Sequence, residues 1–83
     1  MDETQNQIIM KHLLQLGSIT SWIAIQEYRI TRLAARIADL KRQGFTFWTE
    51  WETNESNGKR YKRYGLAQTD HNRHLLQVYG YRG

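Results

Sequence analysis

The spacing of apolar residues changes at Gly44, and that change limits the chain to helices first and strands afterwards. Before Gly44 the apolar positions recur at helical spacing. Ile9, Leu13 and Leu16 lie at i, i+4, i+7, with Met10 and Leu14 widening the stripe. Thr4 followed by Gln7 has the form of a capping box, and Gly17 suits the left-handed residue that ends a helix. Ser18-Ile19-Thr20 reads as a short extended link. Thr20 or Ser21 caps a second helix running to about Tyr28, with Trp22, Ile25 and Tyr28 on one face. A third helix is expected over 31–43, capped by Thr31, with Leu33, Ile37 and Leu40 inward.

After Gly44 the period is two. Phe45, Phe47, Thr49 and Trp51 alternate with Thr46, Trp48, Glu50 and Glu52, as in a strand with one buried face. Asn57-Gly58 is a two-residue hairpin signal, and a second strand follows over 59–66. That turn sets Glu55 opposite Arg60, Glu52 opposite Arg63, Trp51 opposite Tyr64 and Thr49 opposite Leu66, so opposite charges and aromatic rings pair. The core face becomes Phe45, Phe47, Trp51, Tyr64 and Leu66. A longer loop starting at Asn54 is the alternative. Trp48 falls on the outer face, to pack on the C-terminal segment or to meet a protein partner.

Thr69 or Asp70 caps a short helix carrying Leu75, Leu76 and Tyr79, and the last four residues are expected to fray. The expected division is a domain over 1–66 and a C-terminal extension over 67–83.

Length narrows the means of stabilisation. With 83 residues and no cysteine, one domain must hold itself by apolar packing alone. No apolar run is long enough to span a bilayer, so a soluble, intracellular protein without membrane contact is expected. His71 and His74 are three apart beside Asp70, but no second ligand pair accompanies them, and no metal or other cofactor is expected. His12 on the first helix reads as partly buried or as exposed polar filler. Ser18, Ser21 and Ser56 sit in no nucleophile motif, so no catalytic residue is assigned and a non-enzymatic protein is expected.

The net charge of +4 is unevenly placed. Residues 31–44 carry +3 and residues 59–66 carry +4, while 45–58 carry −3. Two basic blocks are the footprint of a nucleic-acid binder. The order of elements also matters: two helices joined by a tight turn, then a hairpin, make an α+β winged helix-turn-helix. The third helix would then enter the major groove of double-stranded DNA, with Thr31, Arg32, Ala35, Arg36 and Asp39 at its contact side. Arg32 and Arg36 have the geometry for bidentate contact with guanine. In the hairpin, Lys59 and Lys62 are freest for phosphate, whereas Arg60 and Arg63 face Glu55 and Glu52.

The run ITSWIAIQEYRITRLAARIADLKRQGF with the later NGKRYKRYGL resembles the small winged helix-turn-helix domains of bacteriophages and prophages. The resemblance implies DNA binding by the helix over 31–43, control of phage transcription and a place in the bacterial cytoplasm on the nucleoid. It leaves room for a homodimer, or for a host or phage protein as partner on the same fold. The turn Tyr28-Arg29-Ile30 lacks the glycine of repressor-type helix-turn-helix domains, which fits a winged variant.

Overall fold

The computed structural model describes residues 3–83, in the order α1 (Gln5–Leu16), β1 (Ile19–Thr20), α2 (Ser21–Tyr28), α3 (Leu33–Arg42), β2 (Phe47–Thr53), β3 (Arg60–Leu66) and α4 (Asp70–Tyr79). Local chemistry starts and stops most of these elements. Thr4 Oγ1 accepts from the Gln7 amide at 3.1 Å, and Gln7 Oε1 accepts from the Thr4 amide at 2.8 Å, completing the capping box. Gly17 takes φ 89°, which a residue with a Cβ rarely adopts. Thr20 caps α2 through the Ile23 amide, and Thr69 caps α4 through the Asn72 amide.

The turn between α2 and α3 is held without glycine. Arg29 itself adopts φ 57°. The Arg29 amide donates to Ile25 O and the Ile30 amide to Ala24 O, so the turn closes back onto the second half of α2. Ile30 is then drawn into the core, where it is 1% exposed. That burial anchors the turn and offsets the left-handed strain at Arg29.

The start of α3 differs from expectation. Arg32, not Thr31, occupies the N-cap position, and no side chain caps the helix. Arg32 has φ −125° and ψ 60°, so the chain enters the helix one residue late and Thr31 lies outside it.

The hairpin also differs. Phe47 pairs with Leu66, Thr49 with Tyr64, Trp51 with Lys62 and Thr53 with Arg60. Each β2 residue thus meets the partner two positions earlier than a two-residue turn would give. The longer loop, 54–59, is the one observed. Asn54 Oδ1 accepts from the Ser56 amide and Asn57 Oδ1 from the Lys59 amide, so two asparagine side chains stabilise it. A shift of two leaves every side chain on its expected face, because side chains alternate with period two. Individual pairs do change. Glu52 faces Tyr61 rather than Arg63, and Trp51 no longer opposes Tyr64.

β1 adds to the free edge of β3, with Ile19 opposite Tyr64, giving the antiparallel order β1-β3-β2. The core is Ile9, Met10 and Leu13 of α1, Ile19, Ala24 and Ile30, Leu33, Ile37 and Leu40 of α3, and Phe45 with Leu66. Truncating one of these large side chains costs about 2–5 kcal/mol. Four apolar residues read onto packing faces, Leu16, Trp22, Ile25 and Trp51, lie outside. Leu16 falls in the last turn of α1 beyond the packed stripe, and α2 buries Ala24 while Trp22 is 69% exposed. Trp51 is 57% exposed, because the hairpin projects past the core that receives Phe47 and Leu66.

α4 closes over the base of the hairpin. Asn72 is 1% exposed; its Oδ1 accepts from the Thr46 amide, and its Nδ2 donates to Thr46 O and Ala67 O. The terminal segment is docked rather than frayed. Tyr81 packs edge-on against Phe45 at 5.7 Å between ring centres, and its hydroxyl donates to Gln43 Oε1.

Candidate nucleic-acid interface

The inward stripe Leu33, Ile37 and Leu40 determines what α3 shows outside. At 100° per residue, Ala35, Ala38, Asp39 and Arg42 fall on the side away from that stripe, with Ala34 at its margin. Ala34 and Arg42 are exposed, and Ala35 and Ala38 are half-buried. Small side chains there leave a smooth helix surface, with exposed Thr31 and Arg32 at its start and exposed Lys41 and Arg42 at its end. Lys41 and Arg42 also sit where the negative end of the helix dipole favours cations.

Arg36 and Asp39 are turned to other work. Arg36 Nη1 donates to Gln5 Oε1 of α1 at 3.1 Å, and its Nε lies 3.1 Å from Asp39 Oδ2. Its side chain is only 29% exposed. Asp39 also pairs with Arg42, so its negative charge is matched from both sides. The helical wheel set Arg36 at the margin of the outer side; the contact that pulls it to α1 comes from a residue 31 positions away.

In the hairpin, alternation separates the charges by face. One face of β2 and β3 carries Thr53, Trp51 and Thr49 opposite Arg60, Lys62 and Tyr64, and it runs on into Phe47 and Leu66. Its only charges are Arg60 and Lys62. The other face carries Glu50 and Glu52 with Arg63, besides Tyr61, Trp48 and Gly65. The small net charge of the hairpin therefore hides a positive face and a negative one.

Of the two arginine ties expected, Arg63 to Glu52 is present and Arg60 to Glu55 is not. Arg60 lies over the Trp51 ring, 5.0 Å from its centre, and among the described residues it has no carboxylate partner. Lys62 lies 5.3 Å from the same ring and 5.8 Å from that of Tyr64. Arg63 is the occupied one. Its Nε donates to Glu52 Oε2 at 2.9 Å and its Nη1 to Ser18 Oγ at 3.0 Å. Glu52 reaches Arg63 diagonally, although Tyr61 is its direct partner. The hydrogen bond from Arg63, then that from Tyr61, holds the Glu52 carboxyl below the usual carboxylate range. Lys59 is exposed in the loop.

The three histidines are explained by local bonds or left in solvent. His12 is buried between Tyr28 and Ser18 O. His71 Nε2 bonds Gly44 O at 2.9 Å, and His74 is exposed. Among the described residues no cluster of His, Asp or Glu could hold a metal ion. No helix among them is long and apolar enough to cross a membrane. Trp48 packs over Gly65 of the neighbouring strand.

Three helices, a tight α2–α3 turn and a hairpin beyond α3 define a winged helix-turn-helix domain. A family model described as winged helix-turn-helix domain matches residues 4–69, and the chain belongs to that family. No curated protein and no solved structure matches it. The fold is one that suggests DNA binding.

Proposed function

We propose that the chain binds double-stranded DNA in a sequence-specific way, with α3 in the major groove and the β2–β3 hairpin as the wing, and that it regulates transcription in a phage or prophage. The observation that carries the DNA reading is the outer side of α3. Ala35 and Ala38 keep it low enough for close approach, the Asp39 charge there is matched by Arg36 and Arg42, and Arg32 at one end and Lys41 and Arg42 at the other are exposed. Thr31, Arg32 and Ala35 meet base edges or the adjoining backbone. Lys59, Arg60 and Lys62 meet phosphate from the wing. Arg36, Asp39 and Arg63 hold the domain's own geometry. The regulatory role rests on the resemblance to phage domains.

The test is a fluorescence-anisotropy titration with a selected duplex site and a random duplex. Arg32→Ala weakens the selected site by roughly 5- to 150-fold, the loss of one bidentate base contact, and the random site much less. Arg36→Ala changes the ratio of the two little. No binding of any duplex at low salt overturns the reading.

A second reading, a protein contact, is favoured by Trp22 and Ile25, which are exposed on α2. Trp22 also lines an open groove of about 690 Å³ shared with Tyr61 and Arg63. Sedimentation of the wild type and of Trp22→Ala shows whether a second copy covers that surface.

A further inference from the structure

We infer that Trp51 is a positioning residue for phosphate: its ring holds Arg60 and Lys62 in place as a paired clamp on the positive face of the wing. The inference rests on the DNA-binding reading and adds a role for an aromatic residue that contacts no base.

Three observations support it. Trp51 is 57% exposed at the projecting end of the hairpin, so its ring is not there to fill the core. Lys62 is its direct cross-strand partner and Arg60 lies on the adjacent diagonal, so the register itself brings both cations to one ring. Both lie close to the ring centre, at 5.0 Å for Arg60 and 5.3 Å for Lys62, within the range of cation–π attraction. The acids of the hairpin strands, Glu50 and Glu52, are on the opposite face and do not compete.

The chemistry suits phosphate. A guanidinium stacked on a ring still presents its N–H edge, and an ammonium above a ring keeps donors directed outward. Long cationic side chains lose much rotamer freedom when they bind. A ring that restricts both side chains beforehand removes part of that cost. Lys62 gains a second ring, Tyr64, from the side nearer the core. The wing face is thus a row of alternating cations and rings leading from tip to core.

The experiment is a double-mutant cycle on the full chain with a fluorescein-labelled random duplex, titrated over a range of salt. Arg60→Ala/Lys62→Ala lowers the slope of log affinity against log salt by about 1.8, for two phosphate contacts. Trp51→Leu weakens binding about 3- to 10-fold at low salt, because part of the ordering of two long side chains must then be met on binding. Trp51→Phe recovers part of that loss. In the Arg60→Ala/Lys62→Ala background, Trp51→Leu has no further effect. If the Trp51→Leu loss persists undiminished in that background, or if Trp51→Leu leaves wild-type affinity unchanged, the inference is overturned while DNA binding by α3 stands. If the wild type binds no duplex, the functional reading falls with it.

Discussion

The indole of Trp48 occupies the space above Gly65, where an added Cβ would collide with the ring. The two are direct partners across β2 and β3. Gly65 is therefore required by contact, since its backbone is not in the left-handed region. We expect Gly65→Ala to destabilise the domain by about 1–3 kcal/mol, as the ring is driven off its packing. In a Trp48→Ala background the same change should cost little, because the obstacle is gone. Thermal melts of the four proteins check this, and an equal loss in both backgrounds would refute it.

Arg29 takes a conformation that suits glycine, at φ 57°. A side chain there costs about 1–2 kcal/mol. Glycine relieves that strain but adds freedom to the unfolded chain, worth roughly 0.5–1 kcal/mol. Arg29→Gly is expected to gain about 0.5–1 kcal/mol, raising Tm by roughly 2–8 °C in a domain of this size. A lower Tm would mean that the arginine side chain contributes more than its backbone costs.

His12 gives the domain a pH dependence. Its Nε2 lies 3.1 Å from Ser18 O, an acceptor, so Nε2 carries the proton. Its Nδ1, 2.6 Å from the Tyr28 oxygen, then accepts from that hydroxyl. Burial holds its pKa below 6.5, outweighing the Ser18 carbonyl and Glu27. The unfolded chain therefore takes up a proton first as pH falls. Stability is complete above about pH 6.5 and declines from there down through the lower folded-state pKa. His12→Gln should show a smaller loss of Tm between pH 7.5 and 5.5 than the wild type. Equal pH profiles would assign the dependence elsewhere.

Asn72 joins α4 to the residues flanking the hairpin through three side-chain hydrogen bonds. Asn72→Ala leaves the Thr46 amide without its partner, while Thr46 O and Ala67 O keep the amides of Ala67 and Thr69, at a cost of about 1–3 kcal/mol. Asn72→Asp should be no better, because a carboxylate would face the carbonyls of Thr46 and Ala67. A urea midpoint within error of the wild type for Asn72→Ala would show that these bonds are replaced by water.

What was legible in the sequence was mostly local. The Thr4–Gln7 box and Gly17 appear as read, and Thr20 and Thr69 are the caps out of the pairs Thr20 or Ser21 and Thr69 or Asp70; each depends on residues within four positions. The stripe Leu33, Ile37 and Leu40 needed only the helical period. The remainder depended on distant partners. Arg36 turns inward because of Gln5, and Asn72 is buried because Thr46 offers both an amide and a carbonyl. The hairpin register turned on whether two asparagines would bond their own backbone, which a count of residues between strands does not decide. The faces were still right, because the error was an even number of positions.

The loop over 54–59 has a consequence for how this architecture can be altered. It is closed by the pair Asn54 N to Lys59 O and Gly58 N to Asn54 O, together with its own asparagine side chains, and its residues are exposed. None of these bonds reaches the helices. The hairpin can therefore be lengthened or re-tipped there in steps of two paired residues, keeping Trp51, Lys62 and everything below in phase. Reach along a groove is in this sense a modular dimension of the domain, adjustable apart from the core that holds α3.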